Sequence, residues 1–115
     1  MNFEVYNRHQ HTLLVSKVEK LDITVSSILK SELTLLNKAG INSIILDLSK
    51  TSYCDSSGLS AVLLANRLCR DAGGQFILCG LNPNVLKLIE ISQLDKVLNI
   101  AETVEKADQF FKVIK

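Results

Sequence analysis

Asp55-Ser56-Ser57-Gly58-Leu59 is the segment whose residue types and spacing can do chemistry: a carboxylate and two hydroxyls where a loop opens a helix. Helix N-termini present free N–H groups and partial positive charge, so they accept anions. Two readings follow. In one, Asp55 or Ser56 only caps the helix, because a short side-chain oxygen satisfies those N–H groups, and Gly58 only permits close packing. In the other, Ser56 takes a phosphate, which brings about −1.5 to −2 charges beside Asp55 where a neutral hydroxyl had stood. The helix end tolerates that anion. What changes is the surface that a docked partner meets.

Catalysis by Ser56 or Ser57 fits poorly. A nucleophilic serine needs a base, usually His, held by a third group. The two histidines, His9 and His11, fall in the first hairpin, far along the chain, and no Gly-x-Ser-x-Gly elbow or phosphate-cradling Gly-rich loop is present. His9 and His11 have a spacing two metal ligands can use, but zinc takes three or four and no further cluster completes a site. A solvated hairpin without metal or cofactor is expected. Three cysteines, Cys54, Cys69 and Cys79, form no close pair and leave one over, which argues for reduced thiols. Cys54 precedes a helix turn, which lowers a thiol pKa, but adjacent Asp55 opposes this, so a structural role is expected.

The elements that must position Ser56 follow from the hydrophobic pattern. Phe3 and Val5, then Leu13 and Val15, alternate with polar neighbours across the turn Asn7-Arg8-His9-Gln10, predicting a half-buried hairpin that ends near Val18. Asp22 or Thr24 offers an N-cap for a helix with Val25, Ile28, Leu29, Leu33 and Leu36 on one face, and with Lys30, Glu32 and Lys38 outward. Gly40 closes it. The run from Ile41 to Leu48 is rich in β-branched residues and hardly alternates, as a strand covered on both faces does. A loop from Ser49 to Cys54 leads to a helix from Ser57 to about Ala72, with Ala61, Ala65, Leu68 and Ala72 on one stripe, stopped by Gly73-Gly74. Gln75 to Cys79 reads as a strand, and Pro83 sits at the first position of the next helix, where a missing N–H is harmless. A short strand near Val97 to Ile100 precedes a terminal helix carrying Val104, Ala107, Phe110, Phe111 and Ile114 on one side.

The expected order is β-β-α-β-α-β-α-β-α: an α/β fold with a mixed, mostly parallel sheet of about five strands and helices mainly on one side. Residues 1–115 are expected to form a single domain, since 115 residues with 47% hydrophobic content can bury a core without disulfides or metal. The net charge is +1 with no block of like charges, so no nucleic-acid footprint is present. No apolar run approaches the roughly 18 to 20 residues of a membrane span, and the start resembles no signal peptide. No membrane insertion and a cytoplasmic location are expected. Leu63 and Leu64 lie off the Ala61-Ala65-Leu68 stripe; with Ser60 and Arg67, one of them either joins a docking patch or lies under a neighbouring helix.

Leu46-Asp47-Leu48 through Tyr53-Cys54-Asp55-Ser56-Ser57-Gly58-Leu59, with Gly73-Gly74 later, resembles the STAS domain, and in particular bacterial anti-sigma factor antagonists. The likeness extends to Leu21-Asp22 ahead of the first long helix and to Leu81-Asn82-Pro83 through Leu94. Val18-Glu19-Lys20 lacks the glycine often found before the Leu-Asp pair, and Cys54 stands where a larger apolar side chain is usual. The resemblance implies that an anti-sigma factor that is itself a serine kinase phosphorylates Ser56. It implies that Asp55 serves recognition, that the unmodified antagonist binds the anti-sigma factor, and that a serine phosphatase acting on phospho-Ser56 restores binding. Asp22, Asp55, Ser57, Gly58, Leu59, Ser60, Leu63 and Arg67 are the expected partner-binding residues. The alternatives are a STAS subunit of another complex, stressosome-like or serving a lipid transporter, and a small hydrolase or nucleotide-binding protein using Asp55-Ser56-Ser57.

Overall fold

Runs of adjacent apolar residues in the strands dictate a sheet covered on both faces. In the computed structural model, which describes residues 2–8 and 10–112, β1 (Phe3–Asn7), β2 (Thr12–Ser16), β4 (Ile44–Asp47), β6 (Phe76–Cys79) and β7 (Asn99–Ala101) form that sheet in the order β1-β2-β4-β6-β7. β1 and β2 are antiparallel and the other pairs parallel. The register aligns Leu13, Ile45 and Ile77 in one row across the sheet, and Leu14, Leu46, Leu78 and Ile100 in the next. Successive residues of a strand face opposite ways, so each row must be covered by a different layer.

The Leu14 row packs under α1 (Ile23–Lys38), α2 (Ser56–Asp71) and α3 (Pro83–Ile91), through Leu29 and Leu33, Ala61, Val62, Ala65 and Cys69, and Val85 and Ile89. The Leu13 row packs under α4 (Val104–Lys112), through Ala107 and Phe111. Three helices therefore share one face, and α4 alone covers the other. β2 is thus not half-buried as its alternation suggested: Leu13 and Leu14 are both buried, and the strand stops at Ser16 rather than near Val18. Ile28 faces solvent although its spacing fits the apolar stripe of α1, because the seam between α1 and the sheet takes Ser26, Leu29 and Leu33. Leu68 is only partly buried and Ala72 is exposed, whereas Cys69 takes the core position. Val97 is exposed and precedes β7, following a 3-10 turn at Leu94–Lys96. Ile114 lies outside the described residues.

Two short strands unforeseen in the sequence, β3 (Lys20–Leu21) and β5 (Tyr53–Cys54), pair in parallel as a separate ribbon, Lys20 opposite Tyr53 and Leu21 opposite Cys54. The loop that carries β5 is fastened to the preceding segment by buried polar contacts. Thr51 Oγ1 lies 2.8 Å from Ser16 Oγ and donates to the Val18 carbonyl at 2.7 Å, while the Ser52 amide donates to the Glu19 carbonyl at 2.9 Å. Buried hydroxyls left unpaired would each cost about 1–3 kcal/mol, so these contacts fix the path of the loop.

Candidate functional site at the start of α2

The β3–β5 ribbon sends two helices off from one edge. Asp22 follows β3 and caps α1, accepting from the Thr24 amide at 3.0 Å and the Thr24 hydroxyl at 2.5 Å. Asp55 follows β5 and caps α2, accepting from the Gly58 amide at 3.0 Å, while its own amide donates to the Leu21 carbonyl at 3.3 Å. The two caps are equivalent positions of parallel strands, so α1 and α2 begin side by side and pack against one another. The Thr24 hydroxyl holds the Asp22 carboxyl below its ordinary pKa. Of the two N-caps considered for each helix, the structure uses Asp22 and Asp55.

Ser56 occupies the first position of α2 and is exposed. Ser57 is half-buried. Gly58 is buried, and a Cβ there would run into the Leu21 carbonyl oxygen and lie 2.7 Å from Cys54 Sγ. Glycine is required at this place by the close approach of α2 to β3. Burial and then the charge of Asp55 push the Cys54 thiol up to about 12, which fits a structural role. Its small side chain fits between β5 and the Gly58 turn.

From Ser56 a groove runs along α2. A cavity of about 490 Å³ is lined by Ser56, Leu59, Ser60, Leu63, Leu64 and Arg67 of α2, by Lys30 of α1 and by Leu94. The expected partner-binding residues divide accordingly. Leu59, Ser60, Leu63 and Arg67 share the groove with Ser56; Asp22, Asp55, Ser57 and Gly58 stand outside its lining and build the helix ends. Leu63 and Leu64 both line it and both are partly buried. Lys30 and Leu94 were missed by sequence reasoning. Lys30 carries no signal until α1 is known to lie beside α2, and Leu94 belongs to a turn without periodicity.

His11 is not solvated as the hairpin reading expected. His11 is stacked on Phe111, with ring centroids 4.4 Å apart, its Nε2 is 2.8 Å from Asp108 Oδ1, and only 8% of its side chain is exposed. Burial pulls its pKa below the ordinary value, although Asp108 acts in the other direction. α4 thus covers the residue from the sheet face opposite α2, so it is no base for Ser56. His9 lies outside the described residues. Among the described residues no group of three or more His, Cys, Asp or Glu can hold a metal.

Residues 2–107 match the STAS domain family. The chain belongs to that family. Among curated STAS relatives, the chain is 34% identical over 84 residues to BtrV of Bordetella bronchiseptica, named as a candidate anti-sigma factor antagonist, covering 73% of this chain and 72% of that one. It is 28% identical over 102 residues to the anti-sigma F factor antagonist of Paenibacillus polymyxa, covering 87% of each. The same STAS fold is seen in the anti-sigma factor antagonist SpoIIAA in its unphosphorylated form, with a TM-score of 0.82, 23% identity and coverage of 98% of both chains. SpoIIAA of Bacillus in its phosphorylated form matches with a TM-score of 0.73 and 22% identity over 94% of this chain and 98% of that one. The mixed five-stranded sheet and the four helices packed on it are therefore the STAS fold.

Proposed function

We propose that this protein is an anti-sigma factor antagonist, a binding module gated by phosphorylation of Ser56, and not an enzyme. Unmodified, it binds an anti-sigma factor serine kinase through the start of α2 and the adjoining groove. Phosphorylation of Ser56 ends that binding, and a serine phosphatase restores it. Work in the cytoplasm fits this role, and no described helix is long and apolar enough to cross a membrane.

The observation that carries the reading is the placement of Ser56. It is exposed at the first position of α2, at the mouth of a groove floored by leucines. A phosphate there adds about −1.5 to −2 charges beside a docking surface, while the helix N-terminus tolerates it. The names of the curated relatives and the two forms of SpoIIAA support the same role. A hydrolase reading gains nothing from the site, because His11 is engaged beneath α4 on the opposite face of the sheet.

Binding of the purified anti-sigma partner to Ser56→Ala and Ser56→Asp variants, measured by calorimetry, tests the proposal. Ser56→Ala is expected to bind as the unmodified protein does, and Ser56→Asp about tenfold or more weaker, a difference of about 1.4 kcal/mol. Equal affinities would sink the switch. Intact-mass spectrometry of protein from its own host, with fragmentation across residues 49–67, then reads whether Ser56 carries phosphate.

A further inference from the structure

The groove has a direction and a charge. Ser56 and Arg67 lie eleven residues apart on α2, about 16 Å along the helix axis, with Ser60 and Leu63 between them at helical spacing. Its floor is apolar, through Leu59, Leu63, Leu64 and Leu94. Both charged residues in its lining, Lys30 and Arg67, are basic. Neither is engaged in an ion pair among the described residues, whose pairs are Arg8 and His11 with Asp108, Lys17 with Glu4, and Lys106 with Glu102. An apolar floor of this length, with two free cations at its sides, complements a helix of about three turns with an apolar stripe and flanking acids.

Resting on the function proposed above, we infer that the groove receives an acidic amphipathic helix of the anti-sigma partner, whose leucine-like stripe sits on Leu59 and Leu63 and whose carboxylates face Lys30 and Arg67. An acidic occupant also gives phosphorylation its leverage. Ser56 lines the same cavity, so its phosphate meets like charge on the docked helix, and like charges brought together at an interface oppose binding strongly. A neutral or basic occupant would not feel that repulsion.

The test uses two stapled peptides of about three turns, identical in their leucine stripe, one flanked by glutamates and the other by lysines. Fluorescence anisotropy against the full chain is expected to give about fivefold or more preference for the acidic peptide, shrinking as salt is added. The Lys30→Glu/Arg67→Glu double variant should reverse the preference, with circular dichroism confirming its fold and Arg67→Gln giving an intermediate value. Ser56→Asp should weaken the acidic peptide and leave the lysine peptide unweakened. No preference, a preference for lysine, or concentration-dependent self-association that masks the groove would overturn the inference. The switch itself is read separately. If Ser56→Asp weakens the intact anti-sigma partner while the peptides show no charge preference, the acidic helix is wrong and the switch stands. If the peptides discriminate and the intact partner ignores Ser56→Asp, the switch is wrong and the groove stands.

Discussion

Replacing Gly58 by alanine should destabilise the protein, although the substitution improves the helix in isolation. Alanine inside a helix is favoured over glycine by about 0.5–1 kcal/mol, so propensity alone predicts a gain. The structure reverses the sign. The new Cβ would collide with the Leu21 carbonyl oxygen and lie 2.7 Å from Cys54 Sγ and 3.0 Å from Leu21 Cγ. A backbone carbonyl cannot rotate away as a flexible side chain can, so α2 must lift from β3. Overpacking costs about 1–3 kcal/mol, and against a backbone carbonyl it falls in the upper part of that range, about 2–3, which leaves a net loss of about 1–2 kcal/mol after a propensity gain of about 1. With an unfolding entropy near 2.1 cal/mol/K per residue over 115 residues, each kcal/mol lowers Tm by about 4 °C. Thermal unfolding followed by circular dichroism should therefore show Gly58→Ala melting about 4–8 °C below the parent. Adding Cys54→Ala to Gly58→Ala removes the sulfur contact but leaves the carbonyl, so it should not restore the parent Tm. A Tm equal to or above the parent's for Gly58→Ala would refute the close approach of α2 to β3, and with it the rigid placement of Ser56.

Three further outcomes can be checked on the same protein. Burial holds Cys54 and Cys79 up to about 12 and Cys69 up to about 11, so Ellman's reagent near about pH 8 should label no thiol in the folded protein within minutes and all three in denaturant; fast native labelling of Cys54 would contradict its packing. Burial also lowers the His11 pKa in the folded state, against the pull of Asp108 and with Arg8 nearby. The folded protein then binds fewer protons than the unfolded chain, so this stabilisation is complete above about pH 6.5 and is lost as pH falls through the folded pKa. Denaturant midpoints between about pH 5 and 7.5 should show a smaller slope in His11→Gln, and an identical slope would contradict the account. Protein carrying phosphoserine at position 56 should unfold within a few degrees of the unmodified form; loss of the α2 helical signal would show that phosphate melts the helix instead of changing its surface.

Much of this architecture was legible in residue pattern. The unbroken apolar run at Ile44-Ile45-Leu46 announced a strand covered on both faces, and Asp22, Asp55, Gly40 and Pro83 marked helix ends through local geometry. The misses share a physical reason. Two-residue strands such as β3 and β5 are too short to carry a period, and they exist because Ser16, Thr51 and the Glu19 carbonyl tie two loops together across the fold. The amphipathic pattern of α4 gives a stripe but not the sheet face it covers; Leu13 beside Leu14 was the available sign that both faces of β2 are occupied. The groove was half legible. Ser60, Leu63, Leu64 and Arg67 follow from spacing on one helix and Ser56 and Leu59 from the motif that opens it, whereas Lys30 and Leu94 enter only through tertiary neighbours.

The position of Ser56 matters more than its exposure. In the first turn of α2, Asp55 Oδ1 takes the Gly58 amide and the Asp55 carbonyl takes the Leu59 amide. The amides of Ser56 and Ser57 are the orphan donors such a turn leaves over. A phosphate on Ser56 thus arrives where spare N–H groups and the helix dipole favour negative charge, while the occupied cap keeps the turn closed. The same modification one turn later, at Ser60, would lack those donors. It would also put its charge farther into the groove, closer to Arg67. If the proposed switch operates at this first helical position, one phosphate would have two separate consequences: the helix would gain a compatible anion, and the acidic helix proposed for the groove would meet like charge. Asp55, by accepting from the third amide of the turn, would keep the helix end closed whether or not Ser56 carries that charge, which leaves the proposed complex as the place where the charge is felt.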